Sequence, residues 1–302
     1  MEPAGPGFVS MPAGASTIMG KLWEYGRMIR FSHSVFLLPF ALSALILAPR
    51  EQLGLGRLFW ILAALVSARS AAMGFNRIAD RGLDRANPRT AGRAIPAGRI
   101  GLREAWAFVI ISAGVFLLCA AMLNPLAAML SPLALGFVLA YSFTKRFTLL
   151  SHLWLGLGTA MAPAGVWVAL TGTLSWEIMV LVGSVALWVA GFDVLYACQD
   201  VEFDRKWGLF SIPARMGVGR ALWVARGFHT LSFLGFLWVG HLFSLGSLYL
   251  VGLLLVGALF LLEHLLVSEK DLSRINDAFF TVNGLVSVLY FLAVLADNWF
   301  RV

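Results

Sequence analysis

Two aspartate pairs, Asp80/Asp84 and Asp200/Asp204, share one four-residue spacing. Residues four apart on a helix lie one above the other, so each pair can offer two carboxylates in one direction. Each pair stands where a long apolar run gives way to a polar segment. Basic residues follow, and then a matching string, Ala94-Ile95-Pro96-Ala97 after the first pair and Ser211-Ile212-Pro213-Ala214 after the second. The pattern is that of a duplicated unit offset by about 120 residues. Clustered carboxylates repel, by about 1 kcal/mol at ~4 Å in water and several-fold more beside low-dielectric walls. A cation must offset that. Neighbouring arginines alone would make plain surface ion pairs. The sharper reading is a divalent metal, because Mg²⁺ takes oxygen ligands, keeps several waters and bridges a few carboxylates to substrate phosphates. Asp80, Asp84, Asp200 and Asp204 are then the expected metal ligands. Asn76, one turn earlier, would supply an amide oxygen or orient a metal-bound water. Basic side chains would hold the outer oxygens of a diphosphate.

The elements that must position these groups are membrane helices. Of 302 residues, 60% are hydrophobic and 13% charged. Soluble domains carry roughly 45–50% and about 25%. Runs of about 20 apolar residues, long enough to cross a bilayer, fall at 33–49, 58–76, 104–122, 126–143, 152–171, 177–198, 221–239, 243–265 and 276–297. The expected fold is all-α: a multi-pass bundle of about nine transmembrane helices with a central cavity open to the cytoplasmic side. Residues 1–20, rich in Gly, Pro, Ala and Ser, are expected as a flexible tail, and residues 21–302 as a single domain. Cys119 and Cys198 show no metal-ligand spacing.

With the N-terminus cytoplasmic, all Lys and Arg except Arg50, Arg57, Arg69 and Arg301 fall on the cytoplasmic side or at its helix ends. The positive-inside rule selects that orientation. Both aspartate pairs then face the cytoplasm.

Three strings resemble the motifs of a known family, the UbiA superfamily of intramembrane prenyltransferases. Asn76 to Asp84 resembles its N-x-x-x-D-x-x-x-D signature, Tyr196 to Asp204 its Y-x-x-x-D-x-x-x-D motif, and Tyr141 to Lys145 its Y-x-x-x-K motif. The likeness extends over nearly the whole chain after the tail. It implies Mg²⁺-dependent transfer of a polyprenyl group from its diphosphate to an aromatic ring. The Asn76-Arg77 opening is similar to that of the 4-hydroxybenzoate enzymes. The string Cys198 to Arg205 is closer to a side branch, some members of which serve the futalosine route to menaquinone. The implied partners are a polyprenyl diphosphate, a small aromatic acid (4-hydroxybenzoate, or 1,4-dihydroxy-6-naphthoate in the alternative) and the lipid bilayer, with no nucleic acid. The implied site is the bacterial cytoplasmic (inner) membrane.

Roles follow residue by residue. Lys145 and Arg77 are expected on the diphosphate, whereas Arg146 reads as an interfacial anchor. Tyr141 and Tyr196 could steady an allylic cation with their ring faces or bond a phosphate oxygen; interfacial packing is the plain alternative. Arg69 and Asp193 are ionisable groups inside helices, which is costly and usually purposeful. Each precedes a motif residue by seven positions, Arg69 before Asn76 and Asp193 before Asp200. Arg69 would bind the acceptor carboxylate or the diphosphate, and Asp193 would orient the acceptor phenol or take its proton. A buried Arg69–Asp193 ion pair is the bland alternative. Arg30 is held open as an acceptor-carboxylate group, though snorkelling also explains it. Glu202 points away from its neighbouring aspartates, and His152, His229, His241 and His264 show no ligand spacing. Two other classes compete. A CDP-alcohol phosphotransferase would carry one contiguous motif with Asp-Gly, which is missing here. A secondary transporter also has repeated halves, but would place its charges nearer the bilayer midplane.

Overall fold

A computed structural model describes residues 18–29, 34–49 and 53–300. The helices in order are α1 (Ile18–Met28), α2 (Ser34–Leu47), α3 (Leu55–Ala79), α4 (Arg81–Ala86), α5 (Leu102–Leu123), α6 (Pro125–Thr144), α7 (Ser151–Thr171), α8 (Trp176–Ala197), α9 (Val201–Lys206), α10 (Ile212–Met216), α11 (Val218–Leu242), α12 (Ser247–Leu266) and α13 (Asn283–Phe300). A 3₁₀ turn, Cys198–Asp200, joins α8 to α9, and a π-helix, Asp277–Val282, leads into α13. Among the described residues eight helices are long and apolar enough to cross a membrane. The first expected span, 33–49, carries α2, an apolar helix of 14 described residues that contains Pro39. Those eight, with the shorter apolar helix α2 at the place of the first expected span, agree with a multi-pass bundle of about nine helices. The expected tail overlaps the start of α1 at Ile18; its first 17 residues lie outside the described residues.

The bundle is organised on α8, apolar on every side and the most enclosed of the spans. A helix hydrophobic all round has to be buried. α7 and α11 flank it, α2 packs on α7 and α13, and α3 packs on α5, α6 and α7. Close helix approach depends on Gly156 of α7, where a Cβ would lie 2.1 Å from the Ala186 carbonyl oxygen of α8. Backbone cannot give way as a side chain can. Gly156→Ala is expected to cost about 3 kcal/mol, the upper end of overpacking effects. That should lower the thermal midpoint of the detergent-solubilised protein by several degrees; an unchanged midpoint would mean the crossing has slack.

A polar knot fixes the far wall. Asn283 Oδ1 accepts from Trp188 Nε1 at 2.8 Å, and Asn283 Nδ2 donates to Glu263 Oε1 at 2.7 Å and to the Ala278 carbonyl at 3.0 Å. One carboxamide thus ties the π-helix to α8 and α12. Most buried polar groups are satisfied in this way. The consequence reaches the site: Phe279, held on that π-helix, lies against Tyr196 with centroids 4.1 Å apart.

Candidate active site

The first motif begins on α3 and breaks at Asp80, whose φ of −92° and ψ of 2° end one helix and start the next. The second motif repeats the device at Asp200, φ −104° and ψ 7°, between the 3₁₀ turn and α9. Each pair therefore straddles a joint rather than riding one continuous helix. The one-turn spacing survives, since Asp84 N–H still donates to the Asp80 carbonyl at 2.8 Å. The break places the second aspartate of each pair in the first turn of a short helix, Asp84 in α4 and Asp204 in α9.

Every motif aspartate has a polar partner. Asp80 Oδ2 accepts from Lys145 Nζ at 2.5 Å and from Asn76 Nδ2 at 3.3 Å, and its Oδ1 accepts from Arg146 Nη2 at 3.1 Å. Asp84 Oδ1 accepts from Arg93 Nη1 at 2.6 Å. Asp200 is gripped by both arms of Arg89, Nε to Oδ1 at 3.0 Å and Nη2 to Oδ2 at 2.5 Å, and by Asn87 Nδ2 at 3.3 Å. Asp204 lies beside the Ser211 side chain, near Asp200 and Lys145. Burial opposes the charge on Arg89, but its hydrogen bond and attraction to Asp200 outweigh that and raise its pKa. Asn87 and Arg89 belong to the loop after the first motif, so their grip on Asp200 joins the two halves of the repeat at one end of the bundle.

The remaining expected residues fall around this junction. Arg89 Nη1 donates to the Tyr196 hydroxyl at 3.3 Å, and its guanidinium carbon lies 5.5 Å from the centre of that ring. Tyr141, on α6, feels the charges of Asp193 and Asp80. Arg77 is buried: Nε donates to the Met28 carbonyl of α1 at 3.4 Å and Nη1 to Asn76 Oδ1 at 3.3 Å. Arg69 lies part-buried on α3, two turns below Asn76. Asp193 Oδ2 is met by His152 Nδ1 of α7 at 2.7 Å. Arg30 lies outside the described residues. Glu202 is exposed.

Five contributors were not singled out from the sequence: Asn87, Arg89, Arg93, Arg146 and His152. Nothing in the row of arginines from Arg77 to Arg103 ranks Arg89 and Arg93 above the rest, because the loop between α4 and α5 chooses them. Arg146, expected as an anchor, also donates to the Ser142 and Ala79 carbonyls. Its signal was adjacency to Lys145. His152 meets Asp193 across 41 positions of sequence, which no local pattern reveals.

The donor set suits a hard divalent ion. It is all oxygen, and Asp84 Oδ2 is buried with no hydrogen-bond partner among the described residues. No three His, Cys, Asp or Glu side chains there converge as a ready-made cage. Mg²⁺ does not need one, since it is commonly held by one or two carboxylates with waters and substrate phosphates.

Residues 37–285 match the family described as UbiA prenyltransferase. The chain belongs to that family. It is an integral membrane enzyme of the aromatic prenyltransferase kind, and neither the transporter nor the phosphotransferase reading accounts for the match. It is 32% identical over 192 residues to a 4-hydroxybenzoate octaprenyltransferase of Hydrogenovibrio crunogenus, covering 64% of this chain and 67% of the relative. It is 35% identical over 196 residues to one from Vibrio cholerae, covering 65% and 69%. A UbiA homolog from Aeropyrum pernix superposes with a TM-score of 0.79 at 35% identity, over 88% of this chain and 98% of that one. A homolog from Archaeoglobus fulgidus bound to GPP and Mg²⁺ gives 0.71 at 20% identity, over 91% and 99%, a likeness of fold.

Proposed function

We propose that the protein transfers a polyprenyl group from polyprenyl diphosphate to 4-hydroxybenzoate in quinone biosynthesis, in the bacterial inner membrane with its motif loops cytoplasmic. The observation that carries this is the junction in which the loop of one motif, through Arg89 and Asn87, holds Asp200 of the other. Two acidic motifs at one helix-bundle mouth, interleaved with Lys145, Arg146, Arg89 and Arg93, form a site for a diphosphate with divalent metal. The octaprenyltransferases above support the acceptor, and the GPP- and Mg²⁺-bound homolog supports donor and metal.

Mg²⁺, held by Asp80, Asp84, Asp200 and Asp204 with Asn76 alongside, would neutralise charge growing on the departing diphosphate. Lys145 and the arginines bind the outer phosphate oxygens. Tyr141 and Tyr196 flank the carbon that becomes cationic. The allylic C–O bond breaks and diphosphate leaves with the electron pair. A ring carbon of the acceptor then attacks the cation to form the new C–C bond, and the displaced ring proton passes to the released diphosphate. Asp193 and Arg69 lie one layer deeper and take the acceptor's phenol and carboxylate. Apolar helices keep water from the cation, in a cavity open to the cytoplasmic side.

The test is the purified protein in detergent with geranyl diphosphate and Mg²⁺, given either 4-hydroxybenzoate or 1,4-dihydroxy-6-naphthoate. Mass spectrometry should show prenylated 4-hydroxybenzoate, lost on chelation with EDTA and restored by added Mg²⁺. Product from the naphthoate alone would assign the protein to the futalosine route, the reading favoured by the string Cys198 to Arg205. No covalent product from either acceptor, with Mg²⁺ present, would overturn both.

A further inference from the structure

His152 lies at the head of α7, opposite α8, and its side chain is 4% exposed against 22% for Asp193. The two ring nitrogens have different duties. Nε2 lies 3.3 Å from the Ile212 backbone nitrogen, which can only donate. Nε2 must therefore present its lone pair, and in the neutral ring the proton sits on Nδ1. Nδ1–H then donates to Asp193 Oδ2 at 2.7 Å. Asp193 Oδ1 has no protein partner among the described residues and is not sealed from solvent. One carboxylate oxygen is anchored and the other is left open.

The anchor depends on a loop. Phe210 N–H donates to the Lys145 carbonyl at 2.7 Å, the Phe210 carbonyl accepts from Ser151 Oγ at 3.4 Å, and Ser211 lies beside Asp204. Ile212 is the next residue. The segment that seats beside the second aspartate motif is thus the one that fixes the tautomer of the imidazole behind Asp193.

We propose that His152 is a positioning residue for the acceptor: it holds Asp193 in one orientation, with Oδ1 presented to the phenol of the aromatic acid, and links that orientation to the seating of the segment Trp207–Ile212. This rests on the reading that Asp193 faces the acceptor. His152 touches neither substrate and acts through Asp193.

The amide replacements separate the two duties of the ring. Asparagine places an N–H near Nδ1 and keeps the bond to Asp193; glutamine reaches the Nε2 position and keeps only the Ile212 contact. In the detergent assay with geranyl diphosphate, 4-hydroxybenzoate and Mg²⁺, His152→Gln is expected to lose about 100-fold in kcat/KM for the acceptor, the scale of a small misplacement of a reacting group. KM for geranyl diphosphate should stay within about twofold, and His152→Asn should recover most of the loss. Wild-type acceptor kinetics in His152→Gln, or equal losses for Asn and Gln with both substrates affected, would overturn the role. Asp193→Asn keeps the two failures apart. If it is crippled toward the acceptor while His152→Gln is not, His152 alone is misassigned; if it is as active as the parent, the acceptor-side reading of Asp193 falls as well.

Discussion

Asp80→Asn and Asp200→Asn should each lower turnover on the order of 10³-fold or more, the scale seen when a group stabilising transition-state charge is removed from a preorganised site. Asparagine keeps the shape and an acceptor oxygen, so the substitution removes charge and little else. For Asp80 that charge faces Lys145 and Arg146 at 2.5 and 3.1 Å. Those two cations are 34% and 33% exposed, so water can take over when their partner is neutralised. The variant should elute from a sizing column like the parent, which separates lost chemistry from lost fold. Asp200→Asn should behave alike, because the repeat gives it the same joint backbone and a guanidinium partner. Product formation above about a tenth of the parent rate in either folded variant would strike that residue from the metal-ligand set.

Much of this was legible in the sequence because membrane helices and repeats write themselves locally. Apolar runs fixed α3, α5 to α8, α11, α12 and α13 with its leading π-helix within a few residues, since every backbone group in lipid must be satisfied inside its own segment. The four-residue spacings pair Asp80 with Asp84 and Asp200 with Asp204 at helix ends. What stayed hidden depends on contacts between distant segments. The joints at Asp80 and Asp200 follow from how α4 and α9 pack, which spacing alone does not encode. His152 and Arg146 were passed over because a lone histidine and a helix-end arginine have ordinary explanations, and only their partners across the bundle give them another. A direct Arg69–Asp193 pair, the plain alternative for those residues, gives way to His152, which holds the Asp193 carboxylate.

Arg89 gives the second large effect, and it separates a shared site from two neighbouring ones. Its fork spans both Asp200 oxygens, a third nitrogen reaches the Tyr196 hydroxyl, and the cation lies near that tyrosine ring. Lysine can match the charge but not the fork, because an ammonium is a point donor on a flexible stem. Arg89→Lys should therefore lower kcat/KM for geranyl diphosphate by about 100-fold, with the charge-assisted pair and the register of Tyr196 lost together. Arg85→Gln, at an exposed residue of the adjoining helix α4, should stay within about twofold and controls for general loss of positive charge. The double variant Arg89→Lys with Asp200→Asn should lose little beyond Asp200→Asn alone, since two groups acting as a unit are not additive. Fully additive losses would mean that Arg89 serves the donor independently of Asp200. The two motifs would then act side by side rather than on one diphosphate, and the loop between α4 and α5 would be an electrostatic rim around the second motif instead of part of it.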